Sequence, residues 1–441
     1  MACLILAYVL PVGAQDKPGS YAQELAAARK AGLPTKPSDM RRPAIPDSQN
    51  AASLYMKIGA ILRSKPESAS YDNALALLGT APLTPSQVAT ARKLVEARRD
   101  LLDAVHLAVN RSYCDFQRDW SKADKMLFPE YAPMRAGARW LMAESGLLLR
   151  EGKPLDAVQN VSLGFAIAEH ASTDTILLGY ITAVFMDART LRGLENILYL
   201  AGDKPGVAAA VRKAIEQKWK PRSLAATVRG ELVMQMAVLE KMRRGDYGTE
   251  DFMATVYGNP STSGKKRPLT KKELQQVRAD ADLNRATILY SLRRIEAFGD
   301  KPYPIASKEI QLIASQVERE KNPHLVPATI FIPMFGNIPE RRALSMAKAN
   351  VVRSAAALLI WKLKRGSFPT KLEEAISPTP SDPFNLKPLR YRREGTGFTV
   401  YSVGATGKFD GRAKDRKQYN LEAVFTYPAP KYRTEAAPAI R

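Results

Sequence analysis

Cysteine and histidine are nearly missing from this 441-residue chain, which has two of the first and three of the second. Cys3 has no lipobox around it and sits in a segment read below as cleaved. Cys114 then stands alone, which excludes an intramolecular disulfide and a zinc site built on thiolates. Beside Tyr113 and Phe116 it reads as a small buried hydrophobe. His106, His170 and His324 have no partner at metal-ligand spacing, and neither HExxH nor GxSxG occurs. The glycine-containing stretch 258–266 is one residue too long for a P-loop and puts Lys266 where a Mg-binding Ser or Thr is needed. Acid pairs such as Asp280 with Asp282 or Glu318 with Glu320 are two residues apart and point to different helix faces. Glu231, among Leu232, Val233, Met236 and Leu239, is the acid whose burial matters most. Glu169-His170 reads as a helix end with dipole and capping effects.

Acidic charge is also scarce. The chain carries 66 Lys and Arg against 44 Asp and Glu, net +22, and residues 341–441 hold 20 against 8. More than half of the excess lies in the last quarter, which points to an anionic surface or an acidic protein as partner. The expected compartment argues against nucleic acid, and so does the core-like alternation of Tyr and Phe in the basic strands.

The start of the chain explains that expectation. Residues 4–10 are apolar and Val12-Gly13-Ala14 precedes Gln15, so 1–14 reads as a signal peptide, shortened because no basic residue leads it. Residues 15–46 read as a linker or flexible arm with a short helix at 21–31. A helical domain follows over 47–325. Thr84-Pro85 supplies a cap and first-turn proline for a helix of about 25 residues. Further helices are expected at 134–150, 154–169, 173–200, 207–219, 221–242, 271–298 and 307–320, with a mobile loop at 243–270. Leu147 to Lys153, with Ala157 and Ala166, is similar to one tetratricopeptide helix pair, without a clean repeat.

The last module, 339–430, has the densest signals, and a flexible tail, 431–441, follows it. Leu344, Ala347, Val351, Ala355, Leu358, Leu359 and Leu363 form one helix face. Gly366 ends that helix, and Thr370 with Glu373 has capping-box spacing for a short helix over 371–376. Strands are expected around 389–393 and 398–402, joined by Gly395-Thr396-Gly397, with a third at 421–427. The stretch 325–338 is too short and proline-rich to span a bilayer.

The run Ala355-Ala356-Ala357-Leu358 to Gly366-Ser367-Phe368-Pro369, then Leu372, Asp382-Pro383-Phe384, Pro388-Leu389-Arg390-Tyr391, Tyr401-Ser402-Val403-Gly404, Gly407 and Asp410-Gly411 resembles the soluble part of the major pseudopilin of type II secretion. It is similar too to the terminal module of many exported bacterial proteins. That resemblance implies a small α+β module and a loop able to bind calcium. Asp410 and Asp415 are the calcium candidates, but they lie among five basic residues and calcium wants six to eight oxygens, so no cofactor is expected.

The sequence thus predicts a mainly α protein, an irregular helical-repeat bundle followed by a pseudopilin-like α+β module. Its expected setting is periplasmic or secreted. Its expected role is an interaction or scaffold protein of the cell envelope, docking through Arg390, Arg392, Arg412, Lys414 and Arg416. Whether it is an enzyme stays open. An envelope hydrolase with a site in the helical domain and a pseudopilin-like secretion component are the alternatives.

Overall fold

The computed structural model describes residues 17–65, 77–79, 83–244, 270–320, 322 and 324–431. The expected signal segment 1–14, nearly all of the loop 243–270, the stretch 258–266 and the tail beyond residue 431 lie outside the described residues. The fold is mainly α with one small antiparallel sheet near the end of the chain, as expected.

The segment 15–46 is not a free arm over its described part. Ser20 caps α1 (Tyr21–Lys30) by accepting the Gln23 N–H, and Gln23 returns the bond in a capping box. Ala28 and Leu33 are then buried in the cluster that holds Leu232, Leu239, Ile288 and Leu292. Glu24, also buried, takes the Arg293 guanidinium at 2.9 Å. The short helix expected at 21–31 is thus present, and its docking on the core is what a composition rich in Lys and Pro did not announce.

Three expected helices are broken. The 25-residue helix divides into α2 (Pro85–Glu96) and α3 (Arg99–Val109), because Arg98 leaves the helical region to donate to the Lys65 carbonyl at 2.6 Å. The 154–169 helix divides into α4 (Pro154–Ser162) and α5 (Gly164–Ser172). Gly164 allows α5 to press on α6 (Leu177–Ala201), since a Cβ there would lie 2.1 Å from the Thr190 hydroxyl. The 271–298 helix divides at Asp280, which bonds His324. Each break follows a long-range contact, and intrinsic propensity is too weak to resist one.

Leu325 and its successors form a short helix, Val326–Phe331, and a 3-10 turn packed in the core. Then comes α7 (Ile338–Arg365), stopped by Gly366 at φ 78°. Among the described residues the continuous run Val326–Arg365 is long and apolar enough to cross a membrane, yet 67% of its most apolar window is buried inside the protein. The short helix after Gly366 is Leu372–Ala375, and its capping acid is Glu374, one residue beyond the expected Glu373, accepting the Lys371 N–H at 2.7 Å.

The sheet order is β1 (Arg390–Glu394), β2 (Gly397–Tyr401), β3 (Val424–Tyr427), all antiparallel, with Glu394 opposite Gly397 across the two-residue turn. Helix α8 (Arg416–Leu421), absent from the sequence reading, precedes β3. The module does not stand apart from the helices. Phe398, Phe425, Ala355 and Leu359 share one core with Leu194, Ile197 and Val211. Tyr199 of α6 stacks on Phe425 at 4.4 Å, and its hydroxyl meets that of Tyr419 at 2.6 Å. Stacking of this kind adds about 1 kcal/mol beyond the buried area.

Candidate functional site

The basic face of the module is built on an edge strand. β1 pairs only with β2, so its outer row meets solvent, and charge on such a row also discourages pairing with other chains. Arg390 is exposed there, while Arg392 lies across Tyr401, bonded to Glu394 at 2.5 Å and to the Asp410 carbonyl at 3.1 Å. Arg412 and Lys414 are exposed in the following loop, and Arg416 opens α8 with its side chain outside the described ones. The structure therefore brings Arg392 against the Asp410–Arg412 turn. It also gives both calcium candidates local work. Asp410 accepts the Arg412 N–H at 3.0 Å, and Asp415 caps α8 through the Gln418 N–H at 2.8 Å. Among the described residues no three His, Cys, Asp or Glu side chains converge as a metal site.

The motif residues that carried the resemblance have a structural part. Asp382 is buried, and its carboxylate accepts the Phe384 N–H at 3.0 Å, the Ser402 hydroxyl at 2.9 Å and the Val403 N–H at 2.8 Å. One carboxylate thus ties the Asp-Pro turn to the strand end at Ser402.

In the helical part, the singled-out acid and two of the histidines each bond described neighbours. The Glu231 residue is only half-buried overall, but burial of its carboxyl lifts it above the ordinary range; it accepts the Leu177 N–H at 3.1 Å at the start of α6. This supplies an otherwise orphan helix donor with an acceptor. His170 is buried, not merely a helix-end residue, with Nδ1 2.9 Å from the Tyr55 hydroxyl and Nε2 3.2 Å from the Arg111 carbonyl. The carbonyl can only accept, so Nε2 carries the hydrogen and Tyr55 donates to Nδ1. His106 sits 2.7 Å from Glu144, which also holds Arg99.

Two ionic clusters were missed. In the first, Arg222 forks onto Asp187, with Nε to Oδ2 at 2.7 Å and Nη2 to Oδ1 at 2.9 Å, and also bonds Glu169. Burial pushes the Asp187 carboxyl up to about 6 against the pull of those bonds, while Arg222 is raised by the same bonds despite its burial. The bidentate geometry is that of an ionised pair.

Two members of the second cluster, Arg118 and Asp174, line a cleft of about 420 Å³ between residues 37–44 and 115–121. Arg118, its side chain 7% exposed, bonds Glu130 and lies 2.5 Å from Asp174, whose same oxygen accepts the Tyr131 hydroxyl at 2.8 Å. The guanidinium is flanked by Phe128 at 4.5 Å and Phe116 at 5.2 Å, a cation–π arrangement. Burial works against its charge, and the bonds to Asp174 and Glu130 more than offset it. Burial also pushes the Cys114 thiol well up, helped by Asp174, Glu130 and Asp115, which makes it a poor nucleophile. Two non-glycine residues here have left-handed backbones, Gln117 at φ 49° and Thr175 at φ 53°. The Asp174-Thr175 turn is gripped from below, where a Cβ on Gly230 would lie 2.6 Å from the Thr175 carbonyl. No local pattern announces this cluster, since its members come from positions 118, 130, 131 and 174.

Compared with protein-family models, curated proteins and solved structures, the chain matches none.

Proposed function

We propose that the protein is a non-enzymatic interaction or scaffold component of the bacterial cell envelope, exported, which docks on an anionic partner through its terminal basic face. The observation that carries this reading is the contrast between its cations. Arg118 and Arg222, which are buried, are each held by two carboxylates, whereas Arg390, Arg412 and Lys414 are exposed and bond no described residue through their side chains. Exposed charges without a described partner are available to an outside one, at about 1 kcal/mol each near an anionic lipid surface.

The test reverses Arg390, Arg392, Arg412, Lys414 and Arg416 to glutamate in the full chain. Sedimentation with vesicles of phosphatidylglycerol and phosphatidylcholine at about 0.15 M salt should fall by more than tenfold, with no change on pure phosphatidylcholine. Equal sedimentation of the two proteins would refute the docking surface.

The alternative of an envelope hydrolase requires acids converging in a deep cavity. Asp115, Asp119 and Asp174 do line the cleft, but Asp119 is bonded to Ser121 and Lys122, and Asp174 to Arg118 and Tyr131. Such bonded carboxylates suit binding better than proton transfer.

A further inference from the structure

The cleft between residues 37–44 and 115–121 has a charge order from floor to lip, and that order specifies a ligand independently of the basic face. At the floor one guanidinium, Arg118, is held by two buried carboxylates, Asp174, which lines the cleft with it, and Glu130, which does not. The second oxygen of Asp174 takes no bond from a described residue. Asp115, half-buried, uses one oxygen to accept the Gln117 N–H at 2.8 Å and leaves the other without a described partner. Asp115, Glu130 and Asp174 stand against the single guanidinium of Arg118, so the floor has an excess of negative charge.

The lip is the reverse. The Arg41 side chain is exposed with no described partner, Arg42 spends one nitrogen on the Thr173 carbonyl at 2.7 Å, and the exposed Asp119 is offset by Lys122 at 3.1 Å, so the balance at the lip is positive. Between floor and lip the lining is apolar at Met40, Pro43 and Trp120.

We propose that this cleft binds a short peptide as a zwitterion, its α-ammonium inward at Asp115 and Asp174 and its carboxylate outward at Arg41 and Arg42. A simple anion satisfies only the lip and a simple cation only the floor. A short peptide satisfies both and adds carbonyl acceptors along the wall. The volume of about 420 Å³ lies in the ordinary range of small-ligand sites. The left-handed Gln117 lines the cleft, and the left-handed Thr175 directly follows Asp174; strain of that kind collects at binding sites.

The probes are trialanine, N-acetyl-trialanine and trialanine amide, titrated calorimetrically into the full chain. Trialanine is expected to bind with Kd of about 1 mM or tighter. Acetylation, which removes a charge-assisted bond to the floor, should weaken binding by about tenfold or more, and amidation by about fivefold. Asp115→Asn retains an acceptor for the Gln117 N–H, and Arg41→Gln changes an exposed side chain, so both variants should fold with unchanged circular dichroism. Asp115→Asn should weaken trialanine but not the acetylated peptide, and Arg41→Gln should weaken trialanine but not the amide. Absence of binding at about 10 mM, or binding indifferent to acetylation, would overturn the proposal. Vesicle docking by the basic face is a separate readout that neither variant should alter.

Discussion

Removing the Asp187 carboxylate should be among the most damaging single changes in the helical part. Arg222 is 4% exposed and Asp187 0%, and their two bonds, at 2.7 and 2.9 Å, satisfy two of the five guanidinium donors. Asp187→Ala leaves a buried charge whose remaining anion is Glu169, itself 62% exposed. Breaking a buried pair by deleting one partner costs about 3–5 kcal/mol, and the surviving Glu169 places this case near 3. With a urea slope of about 3 kcal/mol/M, the unfolding midpoint should fall by about 1 M. Two controls separate the causes. Glu169→Gln, on the solvent side, should cost less than about 1 kcal/mol. The double change Asp187→Leu with Arg222→Met should return to within about 1 kcal/mol of the starting protein, because it removes both desolvation penalties. Salt between about 0.05 and 0.5 M should leave the Asp187→Ala loss unchanged, since a buried pair is poorly screened. A midpoint shift below about 0.3 M would refute the reasoning and mean that Glu169 and water suffice for Arg222.

Two glycine replacements should divide by mechanism. Gly366→Ala meets open space and should cost about 1 kcal/mol from its φ of 78° alone, whereas Gly146→Ala puts a Cβ 2.6 Å from the Leu77 backbone and should cost more than about 2 kcal/mol; thermal unfolding of the pair checks the order. Lys348 gives an alkaline signature. Burial, with Arg192 assisting, lowers its ammonium to about 8, so the folded chain releases this proton before the unfolded one does. The unfolded state then binds more protons between about 8 and 10.5, and stability should rise with pH across that window by about 3 kcal/mol. Urea midpoints at either end of the window should differ less in Lys348→Met, and an equal rise in both proteins would show that another group is responsible.

What the sequence determined by itself is local. The apolar stripe of α7, the left-handed stop at Gly366, the Thr84 cap and the glycine turn between β1 and β2 are each written within a few consecutive residues. So is the charge imbalance that leaves Arg390, Arg412 and Lys414 on the outside, since solvating a cation needs no partner. Packing decided the rest. Helices broke at Arg98, Gly164 and Asp280 where distant groups offered a bond or a close approach, and the expected arm docked because Ala28 and Leu33 found an apolar groove. The cleft depended on it most. Its Arg118 lies 12 residues from Glu130 and 56 from Asp174, separations at which charge pairs have no periodicity to reveal them. Burial turns such a pair from a weak surface contact into a fixed part of the core, and burial is set by the whole chain.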